Sequence, residues 1–214
     1  MRKYAAAAFF ILIAASFGIG YLVHYRYIHR FDPLIDRASS EYGLDPALVR
    51  ALIHEESGFD PKARSTAGAL GLMQVSPIIV REWTRVTGEE FLSEAFPEAV
   101  ENIPKTTLLK MKNEDLLHHP EINLQIGCWY LDQLLKRYSD WEDPLPIALA
   151  SYNAGPSNGL RWNRGSDGAS NMTTIQYIER IDFPETKRYV KSVLERYKGE
   201  AYLTTERVQR TNDK

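Results

Sequence analysis

Two adjacent carboxylates, Glu55 and Glu56, close an apolar run that begins at Leu48. On a helical wheel at about 100° per residue, Leu48, Val49, Leu52 and Ile53 share one arc. Glu56 falls near its centre, Glu55 lies about 90° away toward its edge, and Arg50 and His54 point to the opposite, polar side. A carboxyl at a core-facing position loses water, which disfavours its charged form, raises its pKa and equips it as a general acid near neutral pH. The wheel equally admits a last-turn glutamate that reaches past the core edge to water or caps a backbone amide. Downstream, Pro61 reads as the helix stop. Gly68 and Gly71 then interrupt an apolar run ending in Leu72-Met73-Gln74. Glycine permits tight turns and close approach of backbone to a ligand, and the Gln74 amide can both donate to and accept from hydroxyl or acetamide groups. Taken singly, the glycines are also explained by turn chemistry and Met73 by core packing.

These residues need a scaffold, and from Asp32 onward the pattern supplies helices separated by short Gly, Pro, Asn and Ser punctuation. Asp45-Pro46 reads as an N-cap with proline at the first helical position, Leu44 and Val49 forming a hydrophobic staple, and the helix runs to about Ser57. Further helices are expected from Ser76-Pro77 through Trp83, from Asn123 to Tyr138, from Pro146 to Tyr152 and from Glu185 to Tyr197. No strand series or internal repeat stands out. The stretch from Val86 to His119 is charged and weakly periodic, and its His118-His119 pair lacks the third spaced ligand of a metal site. The single Cys128 excludes an internal disulfide framework and reads as a small buried hydrophobe.

With 214 residues the chain suits one domain with a sizeable core, and a net charge of −2 from interspersed acids and bases disfavours nucleic acid as a partner. Residues Ala5 to Val23 carry no charge and as a helix span about 28 Å, close to the thickness of a bilayer core. A cleaved signal peptide is the alternative, with Ala14-Ala15-Ser16 or Ser16-Phe17-Gly18 as cleavage sites. An anchor is favoured because apolarity continues to Leu22 and Val23. Arg2 and Lys3 on one side nearly balance Arg26 and Arg30 on the other, so charge does not set the orientation.

The run Glu56-Ser57, Ala63-Arg64-Ser65 and Gly68-Ala69-Leu70-Gly71-Leu72-Met73-Gln74 resembles the signature of the family 1 lytic transglycosylases, whose soluble-lytic-transglycosylase-like domain has a lysozyme-type fold. Three further segments match in order: Asn123-Leu124 with Gly127 and Tyr130-Leu131, then Ala148 to Pro156, then Glu185-Thr186 with Tyr189-Val190. The similarity covers about Ile35 to Tyr197. Two departures are the long 86–119 segment, which bears on the rim of the cleft, and Ser151 where alanine is common. The expected architecture is therefore mainly α. Residues 1–4 form a cytoplasmic N-terminus, 5–23 a transmembrane anchor or signal peptide, 24–34 a linker, 35–199 a single lysozyme-like catalytic domain and 200–214 a polar, frayed tail.

The resemblance implies that Glu56 is the sole catalytic acid and base. It would protonate the bridging oxygen between N-acetylmuramic acid and N-acetylglucosamine, then take the proton of the muramic acid C6 hydroxyl as a 1,6-anhydro ring closes. Tyr152 is implied to bond near Glu56 or the substrate, Asn153 to hold the loop or an acetamide, and Ser57 to orient the catalytic group or a sugar. Met73 and Gln74 would line the glycan site, and Tyr189 would line the same cleft; for Tyr189 and Asn153 a purely structural role is the alternative. Trp162 is the one tryptophan expected near the cleft. No metal or other cofactor is implied. The implied partners are peptidoglycan strands, the membrane through the N-terminal helix, and cell-wall or secretion machinery, with the domain on the extracytoplasmic, periplasmic side. Two other functions compete. A hydrolytic lysozyme would need a second carboxylate, for which Asp60 is the only nearby candidate, and a non-catalytic glycan-binding module would have no use for Glu56.

Overall fold

The computed structural model describes the backbone of residues 2–87, 117–163 and 172–199, with side chains from Leu12 and then from Ala14 onward. The expected tail, 200–214, and most of the 86–119 segment lie outside these residues. The chain divides into two units, Met1–Pro33 and Leu34–Lys214.

Helix α1 (Arg2–His29) occupies most of the first unit. Leu12, Phe17, Ile19, Tyr21, Leu22 and Val23 are all exposed on it, so its apolar side chains surround the axis instead of forming one core-facing stripe. Residues 5–11 and 13 of the expected span lie outside the described side chains, and among the described residues no helix is long and apolar enough to cross a membrane. The expected linker is itself largely helical. Helix α1 continues to His29 and α2 (Asp32–Glu41) begins three residues later, with His29 Nδ1 and Asp32 Oδ2 2.6 Å apart.

The second unit is built on α3 (Pro46–Ser57), α4 (Pro77–Thr87), α5 (Pro120–Arg137), α6 (Leu145–Ala154), α7 (Pro156–Asn163), α8 (Thr174–Arg180) and α9 (Pro184–Lys198). Among the described residues there is no strand, only isolated bridges of Leu70 with Arg64 and Val75. Helix α6 is the centre: α5, α7, α8 and α9 all pack on it, and it is buried from Leu145 to Tyr152. That explains its composition, because a helix that meets protein on every side has no need of a polar face. Helix α9 also packs on α3, and α4 on α5.

Local chemistry sets the ends of α3 as the sequence suggests at one end and differently at the other. The Asp45 carboxylate accepts from the Ala47 N–H at 2.8 Å, with Pro46 in the first turn. At the other end the stop is Gly58, not Pro61. Its φ of 58° turns the chain left-handed, and its N–H returns to the His54 carbonyl at 3.1 Å. Arg50, expected on the polar side, is half-buried with its guanidinium 5.4 Å from the Phe59 ring centre. Helix α5 starts three residues earlier than expected because Pro120 provides its first turn.

The loop after α3 is fixed by one buried amide. Asn123 Oδ1 accepts from the Met73 N–H at 2.7 Å, while its Nδ2 donates to Leu70 O at 2.7 Å and Leu117 O at 2.9 Å. Gly71 must be glycine here: its φ is 79°, and a Cβ would lie 2.3 Å from both Asn123 Nδ2 and Leu117 O. On the same helix Gly127 leaves room for the Met73 side chain, whose sulfur would lie 2.5 Å from any Cβ there. The buried Ser151 hydroxyl, the family departure, pairs with Tyr138 Oη at 2.9 Å. Replacing Asn123 by leucine removes the partner of the Met73 N–H and of the Leu117 carbonyl, while Leu70 O keeps the Val75 N–H at 3.0 Å, and is expected to cost about 3 kcal/mol. Urea unfolding should show it as a lower midpoint at unchanged slope.

Candidate active site

Glu56 sits in the last turn of α3, at the wall of a cleft of about 690 Å³. Helix α9 crosses this turn and delivers Tyr189, whose hydroxyl donates to Glu56 Oε1 at 2.6 Å. The carboxyl is enclosed by protein yet open to the cleft on one side. Burial pushes its pKa up from 4.5 to about 7; the Tyr189 hydrogen bond pulls it down and the neighbouring Glu55 charge adds to the rise. Near neutral pH the group is thus close to half protonated, able to give a proton and to take one back. Tyr189 and Tyr152 are held far above the ordinary phenol range, first by burial and next by the Glu56 charge, so both remain hydrogen-bond donors.

Glu55 shares the cleft wall, but a guanidinium claims it. Arg196 donates to Glu55 Oε1 through Nη2 at 3.1 Å and Nε at 3.3 Å. The Tyr189–Glu56 and Arg196–Glu55 contacts join the same two helices, from positions seven apart on α9 and adjacent on α3. The seven-residue spacing brings both α9 side chains to one face, two turns apart.

The expected site residues divide into two groups. Gln74, Tyr152, Asn153 and Tyr189 line the cleft with Glu56. Tyr152 lies across from Glu56 but gives its hydroxyl to the Met73 carbonyl at 2.9 Å. Gln74 has a φ of 48° and spends its amide on Gly71 O at 2.9 Å and Ala63 O at 3.2 Å. Asn153 is exposed and accepts from Thr186 Oγ1 at 2.8 Å, tying the end of α6 to the start of α9. Met73 and Ser57 do not line the cleft. The Met73 side chain is fully buried against Gly127 and Cys128, and only its backbone carbonyl serves the site. The Ser57 hydroxyl donates to Leu72 O at 2.8 Å, which holds the signature loop to the end of α3. Trp162 is likewise a core residue, its Nε1 bonded to Asp182 Oδ1 at 2.7 Å. Asp60 is absent from the cleft lining, and its Oδ1 caps the Lys62 N–H at 2.9 Å.

Comparison with known proteins decides what this cleft belongs to. The family model for the transglycosylase SLT domain matches residues 33–175. The chain belongs to the SLT domain family. The domain is 36% identical over 135 residues to membrane-bound lytic murein transglycosylase F of Desulfosudis oleivorans, covering 61% of this chain and 23% of the relative. It is 27% identical over 164 residues to the soluble lytic murein transglycosylase of Salmonella typhimurium, covering 77% of this chain and 22% of that protein. Among solved structures it matches an inactive glutamate-to-glutamine mutant of lytic transglycosylase Slt from Pseudomonas aeruginosa. The TM-score is 0.62 at 27% identity, over 80% of this chain and 24% of that one. The 70 kDa soluble lytic transglycosylase in complex with bulgecin A matches with a TM-score of 0.62 at 25% identity, over 84% and 25% of the two chains. The match thus spans about a quarter of the length of each of these four proteins.

The SLT domain also brings residues to its cleft that the sequence reading left out of the site: Glu55, Ser65, Ile78, Tyr130, Glu185 and Arg188. Glu185 stood in a matched motif and Arg188 in a recognised amphipathic helix, but only the docking of α9 against α3 and α6 shows which of its faces meets the cleft. Among the described residues no group of three or more His, Cys, Asp or Glu side chains is placed to hold a metal. His118 is half-buried and pairs with Pro61 O at 3.1 Å.

Opposite changes at the ion pair should move Glu56 in opposite directions. Glu55→Gln removes a repelling charge and lowers its pKa below about 7. Arg196→Gln takes away the guanidinium that offsets that charge and raises it. Carboxyl-carbon NMR titration of each variant would check both signs.

Proposed function

We propose that this SLT domain is a peptidoglycan lytic transglycosylase that cleaves the β-1,4 bond between N-acetylmuramic acid and N-acetylglucosamine, with Glu56 acting as acid and then as base. One observation carries the reading: a carboxyl whose pKa is raised to about 7, bonded by Tyr189 and open to a cleft large enough for sugars. The names of the relatives, soluble and membrane-bound lytic murein transglycosylases, support it.

In this mechanism protonated Glu56 gives its proton to the glycosidic oxygen as the bond to C1 breaks, so the leaving sugar departs neutral. The resulting carboxylate, steadied by the Tyr189 hydroxyl, takes the proton of the muramic acid C6 hydroxyl as that oxygen bonds to C1. The product ends in a 1,6-anhydro ring, and the proton count of Glu56 is restored. Attack by a tethered hydroxyl has a high effective molarity, which removes the need for a second carboxylate to activate water. Glu55 is ill suited to that water-activating role, since it sits beside Glu56 on the same helix and is engaged by Arg196.

The same reading places the enzyme in the cell envelope. Residues 5–23 anchor it in the cytoplasmic membrane, with residues 1–4 inside and the domain outside where peptidoglycan lies. The uncharged run in the sequence and the membrane-bound relatives support this arrangement.

Glu56→Gln keeps the shape of the side chain and removes its proton. The release of 1,6-anhydromuramic ends from sacculi, followed by mass spectrometry, should fall at least about a hundredfold while the circular dichroism of the variant persists. Reducing ends from the unaltered chain would mean hydrolysis instead, and intact glycan would mean a binding module. For the topology, a reporter active only in the cytoplasm and fused after Lys214 should give no signal.

A further inference from the structure

Four charged side chains line the cleft: Glu55, Glu56, Glu185 and Arg188. They are unevenly engaged. Glu55 is held by Arg196, and Glu56 is bonded by Tyr189. Other cations of α9 are also taken, Lys187 and Lys191 by Glu179 at 3.8 and 3.6 Å and Arg196 by Glu55 at 3.1 Å. Arg188 is exposed, is the one cation of the described cleft lining, and makes no ion pair among the described residues. It lines the same cleft as Glu56 and Tyr189, one position before Tyr189 on α9.

A cleft with three carboxyl groups would repel an anionic strand, and a neutral glycan would give a lone guanidinium nothing to pair with. Peptidoglycan is not neutral. Muramic acid carries a lactyl group whose carboxyl is free when unsubstituted, and when that carboxyl is amidated the stem peptide contributes carboxylates of its own. A guanidinium offers two parallel N–H donors that match a carboxylate, which an ammonium cannot do.

We propose that Arg188 forms a carboxylate-binding subsite that recognises the acidic substituent of muramic acid next to the bond to be cut. The proposal rests on the reading of the cleft as a peptidoglycan site and adds to it what distinguishes muramic acid from plain N-acetylglucosamine. The contact is made before and during reaction alike, so Arg188 contributes to binding and not to the chemical step.

The test is binding in a Glu56→Gln background, so that the ligand survives. The full-length chain is titrated with three soluble glycans: peptide-bearing strands, amidase-stripped strands with free lactyl carboxylates, and stripped strands whose carboxylates have been converted to amides. Adding Arg188→Gln should raise Kd about three- to tenfold on a carboxylate-bearing glycan, the range for a charged hydrogen bond partly screened by solvent. Arg188→Lys should recover part of the loss. A loss confined to peptide-bearing strands assigns the stem peptide, a loss confined to stripped strands assigns the lactyl group, and a loss on both assigns either carboxylate; each supports the subsite. An equal loss on the amidated glycan, or no loss on any, overturns it while leaving the transglycosylase reading intact. Failure of Glu56→Gln protein to bind any glycan, with no anhydro ends from the unaltered chain, overturns both.

Discussion

The site turns on one requirement: a single carboxyl must be dry enough to keep its proton near neutral pH and open enough to hand it to a sugar. Burial meets the first half and one hydrogen bond limits it. Without Tyr189, desolvation would drive Glu56 further toward its neutral form, and the conjugate base would be harder to use in the second half of a two-step proton transfer. The geometry therefore balances an apolar helix face against one phenol.

That balance explains why the elements are joined as they are. Tyr189 reaches Glu56 only because α9 lies against both α3 and α6, and the cross-links at Thr186–Asn153, Tyr189–Glu56 and Arg196–Glu55 run along α9 from one end to the other. The opposite wall is a loop whose shape is dictated by Asn123, with Gly71 and Gly127 admitting the amide and the Met73 side chain. Tyr152 locks this loop to the central helix through the Met73 carbonyl. Much of the signature supports the cleft: Ser57, Met73 and Asn123 hold its loop from behind, while Gln74 lines it.

The charge pattern of the cleft follows the same logic. Glu55 sets a second carboxyl beside Glu56, and Arg196 pairs with it from two turns along α9 past Tyr189. With Glu56 near half protonation at neutral pH, Arg188 and Glu185 are left as the free ionic features of the described lining, which is where discrimination among substituents is cheapest to build.

The primary sequence is enough for the helical class, the start of α3 at Asp45-Pro46, the approximate places of α4, α5, α6 and α9, and the apolar arc of α3 on which Glu56 falls. All of these depend on periodicity, capping and proline chemistry, which act over a few residues. It passed over α7 and α8, which are eight and seven residues long, although the Thr173 and Gln176 capping box was there to be read. It also took Pro61 for the helix stop where a left-handed Gly58 ends the helix first. Folding in three dimensions then settled that Met73 and Trp162 turn into the core, that Ser57 bonds the Leu72 carbonyl, that Tyr152 bonds the Met73 carbonyl, and that Glu55, Glu185 and Arg188 face the cleft. The reason is physical: a wheel tells which side of a helix is apolar, but which neighbour covers that side, and what remains open between them, depends on contacts between residues as far as 152 positions apart.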